Sequence, residues 1–120
     1  MATAITVTVD AVNYIFTPDS VQPDVVRFVK GSSTLVNPDT LLLRRVYPKA
    51  QKSFPGVARN NLKTSKMITY ADGVRAPILF EASISRRADT DATDFNLQRK
   101  IFGQLIADGE LDGFFASLSL

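Results

Sequence analysis

Polar and apolar residues alternate along most of the first two thirds of the chain, the period of a half-buried strand. Thr3–Val9 interleaves Thr with Ile and Val, and Val12–Thr17 follows after Asp10-Ala11. The spacing predicts an antiparallel hairpin, although Asp-Ala lacks the glycine that two-residue turns favour. Pro18-Asp19 and Pro23-Asp24 punctuate the next connection, and Val25–Lys30 reads as a compact strand closed by Gly31-Ser32-Ser33. Asn37-Pro38-Asp39 is a predicted turn, and Thr40–Tyr47 a strand ended by Pro48. A loop centred on Pro55-Gly56 then runs from Lys49 to Arg59. Asn61–Tyr70 and Pro77–Ser85 are the remaining strands, joined through the turn Ala71-Asp72-Gly73.

The last strand is the clearest. Ile78, Phe80, Ala82 and Ile84 fall on one face, and Leu79, Glu81, Ser83 and Ser85 on the other. One apolar face means an antiparallel sheet covered on one side and open on the other. After Arg87 the period changes. Thr90 or Asp91 can cap a helix, and acids in its first turn suit the helix dipole. Phe95, Phe102, Leu105 and Ile106 recur at helical spacing, with Leu97 and Ile101 at the edges of the stripe, up to a predicted stop at Asp108-Gly109. Gly103 falls inside this helix, where it costs about 1 kcal/mol relative to Ala and points to close packing against another element. Leu111–Leu118 reads as a second, shorter helix. The predicted class is α+β, a single domain (1–120) with a hairpin over 1–17, a sheet over 24–87 and two helices over 91–120.

Those helices are very apolar for their length: Phe95, Phe102, Phe114, Phe115, Leu118 and Leu120 all lie in them or just beyond. They make a narrow cover for a sheet of five or more strands. A dimer in which each subunit's helices lie across its partner's sheet would bury them and leave one continuous open face. An ordinary monomeric helix-on-sheet domain is the alternative. A chain of 120 residues also buries a modest share of its surface, so association is a natural source of stability.

Composition narrows the chemistry. The chain has no Cys, His or Trp, which excludes disulfides, Cys/His zinc sites, thiol nucleophiles and His-dependent triads. No segment reaches the ~20 apolar residues of a membrane helix. The N-terminus lacks the basic start of a signal peptide. Gly-rich phosphate loops, Gly-x-Ser-x-Gly and EF-hand spacing are absent. Asp89, Asp91 and Asp94 read as helix-capping acids rather than a Ca²⁺ cluster, and Ser65-Lys66 would point to opposite faces of a strand. No cofactor, metal or small-molecule substrate is expected, and an enzyme is disfavoured.

Net charge is only +2, but it is segregated. Residues 1–24 carry −3, residues 25–87 carry twelve basic residues against three acids, and residues 88–120 carry −4. Between Thr40 and Tyr70 there are seven basic residues and no acid. That is the pattern of a polyanion-binding middle with neutralising flanks. A solvated basic face without a partner is the plainer alternative.

The N-terminal hairpin, the basic antiparallel sheet, the strand Leu79-Phe80-Glu81-Ala82-Ser83-Ile84, the acidic Asp89–Asp94 connection and the Leu97–Gly109 helix together resemble the coat proteins of single-stranded RNA bacteriophages, the leviviruses. The resemblance covers nearly the whole chain and rests on the order and length of elements. It implies a hairpin, a five-stranded antiparallel sheet and two helices, in interlocked dimers sharing a ten-stranded sheet. It further implies assembly into an icosahedral shell in the host bacterial cytoplasm, single-stranded RNA (genome or operator hairpin) as partner, residence in the virion and no membrane. The family reads RNA with alternate side chains of the open face. One register exposes Leu42, Arg44 and Val46 there, the other Arg45; on the next strand one exposes Lys63 and Ser65, the other Thr64 and Lys66. Leu79, Glu81 and Ser83 complete the expected face. Phe95, Phe102, Leu105, Phe114 and Phe115 are the expected dimer contacts. Two departures stand out: no aromatic on the final strand's open face, where some members stack a base, and a short Tyr70–Ala76 connection. A dimeric RNA-binding module that does not assemble is the other reading.

Overall fold

A computed structural model describes residues 3–117. The chain forms two compact units, residues 1–88 and 89–120. The first is one six-stranded antiparallel sheet in sequence order, β1 (Ile5–Val9), β2 (Val12–Val21), β3 (Val25–Lys30), β4 (Asp39–Val46), β5 (Val57–Thr69) and β6 (Arg75–Arg87). The second contains α1 (Ala92–Ala107), a 3-10 turn (Gly109–Leu111) and α2 (Asp112–Ser117). The α+β class, the initial hairpin and the two C-terminal helices are as expected; Leu118 and Leu120 lie outside the described residues.

The strand count needs correction. The separate hairpin and five-stranded sheet are one six-stranded sheet, because β2 is ten residues long and serves both. Val12–Phe16 pairs with β1, and Phe16–Val21 pairs with β3. Pro18-Asp19, expected in a connection, is absorbed as an irregularity where the register shifts between Pro18 and Ser20. A bulge is where a sheet tolerates a residue without an N–H.

The β1–β2 turn has positive φ at both Asp10 (51°) and Ala11 (64°), the signature of a type I′ turn. This twist matches the flanking strands, so the hairpin forms despite its unfavourable Ala. The loop before β5 is shorter than expected, because the strand starts at Val57. Gly56 makes that possible. Its φ is +90°, and a Cβ there would lie 2.7 Å from the Lys49 backbone. Its carbonyl accepts from Ala88 N at 3.0 Å.

The register defines two faces. Phe28 and Leu41, the two buried hydrophobics among the described residues, lie on the first with Val26, Leu43, Leu62 and Ile84. Lys30 and Asp39 bridge β3 and β4 on this face at 3.3 Å, with the Lys30 ammonium 4.5 Å from the Tyr14 ring centroid. The ion pair is largely desolvated, so removing one partner alone would leave a costly unpaired charge.

In the second unit, the Asp91 carboxylate caps α1 by accepting from Asp94 N at 3.2 Å. The helix ends as Asp108 becomes extended (φ −74°, ψ 130°) and its carboxylate accepts from Glu110 N. The helix thus stops at Asp108-Gly109, as expected. A Cβ on Gly103 would meet nothing within 4 Å. Leu97, Ile101, Phe102, Leu105, Ile106, Phe114 and Phe115 are all exposed.

Candidate nucleic-acid interface

The second face of the sheet is polar and basic. Across β4, β5 and β6, the ladders bring Arg44, Asn61 and Ser83 into one row, and Leu42, Lys63 and Glu81 into the next. Thr40, Ser65 and Leu79 make a third row. Of the two registers open in the sequence, the structure therefore places Arg44, Lys63 and Ser65 beside Leu79 and Glu81. Arg45 and Lys66 lie on the opposite, apolar face, in line with Asn60 and Ile84, and with Asp39 and Ile78 respectively.

Arg45 has a different job. Its Nη2 donates to the Pro23 carbonyl at 2.7 Å, its Nε to Asp24 at 3.3 Å, and its guanidinium lies 4.7 Å from the Tyr47 ring centroid. It fastens the β2–β3 turn to the end of β4. Arg44, Arg59 and Lys63 form no ion pair within 4 Å among the described residues. Glu81 is the acid within this part of the face, and its Oε1 accepts from Asn61 Nδ2 at 2.9 Å. Asn61 also donates to Ser83 Oγ at 3.2 Å. This small network holds Glu81 in place although Lys63 is its cross-strand neighbour.

The structure adds residues that the sequence reading missed. Arg59 lines up with Val46 and Ser85 on the basic face, because β5 begins before it. Arg87 pairs with Val57 on the same face, and Arg27 with Leu42 and Ser20. The alternation Arg59, Asn61, Lys63, Ser65 was the available signal; Pro55-Gly56 masked it by marking the preceding stretch as loop. Arg27 is balanced by Asp19 at 3.8 Å, with both side chains about half exposed. No aromatic side chain stands on this face of β4, β5 or β6. Such a face can neutralise phosphates and donate hydrogen bonds, but it has no ring on which to stack a base.

On the apolar face, Val26, Leu43, Leu62 and Ile84 floor an open hollow of about 650 Å³. Among the expected dimer contacts, Phe102, Leu105, Phe114 and Phe115 are exposed, and Phe95 is half-buried. Phe114 and Phe115 meet edge to face at 5.3 Å. No group of three or more potential metal ligands occurs among the described residues.

No protein-family model and no curated protein sequence matches the chain. Solved structures do. The fold is that of subunits in virus-like particles of levi-like phages. The Beihai levi-like virus 32 particle aligns at TM-score 0.81 and 17% identity, over 89% of this chain and 88% of that one. The bacteriophage AVE019 particle aligns at 0.80 and 14%, over 97% and 94%. The bacteriophage GQ-907 particle aligns at 0.81 and 13%, over 99% and 92%. The resemblance to levivirus coat proteins read from the sequence thus holds at the level of the fold.

Proposed function

We propose that this chain is a non-enzymatic coat subunit that assembles into a closed shell around single-stranded RNA. The observation that carries the reading is the near-complete alignment with subunits of virus-like particles. The basic face supports the RNA: among the described residues Arg44, Arg59 and Lys63 form no ion pair, whereas Glu81 is held by Asn61. Facing inward, they contact phosphates and release counterions. The same surface can take an operator hairpin, read through backbone geometry rather than stacking.

The building block is a dimer. Among the described residues, strand β6 has no neighbour on its outer side, so two copies can join there into one continuous sheet. The exposed Phe102, Leu105, Phe114 and Phe115 then cover the partner's apolar face and its hollow. Assembly takes place in the host bacterial cytoplasm.

Expression in bacteria tests the RNA claim. Purified protein is expected to carry nuclease-protected host RNA, and RNA affinity of isolated dimers should fall steeply with salt. Protein free of nucleic acid would refute packaging. Salt-sensitive binding by a lone dimer that never forms larger species would favour the non-assembling module.

A further inference from the structure

The outer edge of β1 is a second unpaired edge of the sheet among the described residues, and its sequence is unusual for one. Exposed edges are normally blunted by charge, proline or a bulge. Ile5-Thr6-Val7-Thr8-Val9 has no charge and no proline, and its ladder with β2 runs without a register shift. Val7 and Val9 are 43% and 50% exposed, so this uncharged, β-branched strand is open on a face as well as along its edge.

The segment is also palindromic in type. Turned antiparallel about Val7, it sets Ile5 opposite Val9, Thr6 opposite Thr8, and Val7 opposite itself. Backbone geometry agrees with that centre. In a two-residue hairpin the residues flanking the turn, here Val9 and Val12, bond to each other, so Val9, Val7 and Ile5 direct N–H and C=O toward β2. Thr6 and Thr8 direct theirs outward. A second copy related by a two-fold axis through Val7 would pair each Thr6 with a Thr8, giving about four main-chain hydrogen bonds. Threonines would meet threonines on one face, and the apolar stripe would continue on the other.

We propose that β1 is a contact between two copies of this chain, paired antiparallel about Val7. This goes beyond the shell reading: a dimer joined along β6 leaves a β1 edge at each end of its sheet, and pairing these edges links dimers to one another.

The chain has no cysteine, so a single introduced one reports cleanly. Val7 would face its symmetry mate as a non-hydrogen-bonded pair, with Cα atoms about 4.5 Å apart, within disulfide reach. Val9 would face Ile5 and lie too far from the other Val9. Mild oxidation of purified full-length Val7→Cys, in whatever species it forms, is expected to convert most of it to a disulfide-linked pair. Val9→Cys should stay below one tenth of that. Equal cross-linking in the two variants, or none in Val7→Cys, overturns the proposal. As a second reading, Thr8→Pro removes an outward N–H while leaving the main-chain bonds to β2 intact, at the cost of the Thr8 Oγ1–Asn13 Oδ1 bond of 2.6 Å, and should reduce particle yield at least tenfold with dimers retained. Particles at the unsubstituted yield would contradict it. Shells without the Val7 cross-link would overturn the edge pairing and leave the shell reading standing; a cross-link without shells would do the reverse.

Discussion

Single residues carry much of the backbone's specificity. Ala11 holds φ 64° in the β1–β2 turn, a conformation in which its Cβ crowds the following carbonyl. Ala11→Gly should relieve this and, after glycine's entropic cost, stabilise the chain by up to about 1 kcal/mol. Urea unfolding would show a raised midpoint at unchanged slope. Gly56 is the opposite case. Gly56→Ala adds left-handed strain of about 1–3 kcal/mol to a clash with the Lys49 backbone, and should lower the midpoint markedly. Charge also divides at this scale. Adjacent residues on a strand point to opposite faces, so Arg44 and Arg45 differ in role despite being neighbours. Arg44→Ala/Lys63→Ala should weaken RNA binding for all sequences alike and flatten its salt dependence. Arg45→Ala/Lys66→Ala should leave RNA affinity much closer to unchanged, and loss of the Arg45 contacts to Pro23 and Asp24 should appear as reduced stability instead. A binding titration at two salt concentrations separates the pair. The composition shows these cations, but alternation leaves two registers open for β4 and β5; the ladder to β6, whose apolar face was plain from Ile78 to Ile84, selects one.

Among the elements, β6 and α1 were the most legible because their periods are long and their faces unmixed. β3 was bounded correctly by Val25 and Lys30. The failures have local causes. Pro18-Asp19 has the chemistry of a turn, yet tertiary pairing with β3 draws it into β2 as a bulge. Pro55-Gly56 ends a loop but also starts β5, which hid Arg59 from the basic face. The predicted stop of α1 at Asp108-Gly109 holds, with Asp108 as C-cap and cap of the following turn. The helices keep apolar side chains exposed, among them Phe102, Leu105 and Phe114. In the proposed dimer, Phe102→Ala and Phe114→Ala should each weaken the dimer by about 3 kcal/mol or more. Sedimentation at decreasing concentration should show the variants dissociating where the unsubstituted chain does not. Dissociation unaffected by either change would place the interface elsewhere.

At the scale of the whole molecule, charge and hydrophobicity separate in space as well as along the chain. The basic middle of the sequence forms the strands whose polar face carries Arg44, Arg59 and Lys63, while the opposite face and the helices keep their apolar residues. A chain built this way has one surface suited to a polyanion and another that the proposed dimer would cover. A closed shell meets both requirements, with RNA inside and protein contacts between subunits. The most direct measurement is the size and shape of the purified full-length protein, by negative-stain electron microscopy of the leading peak from a sizing column. The account predicts uniform closed particles of megadalton mass. A population of monomers or isolated dimers across the accessible concentration range, with no particles on the grid, would contradict it.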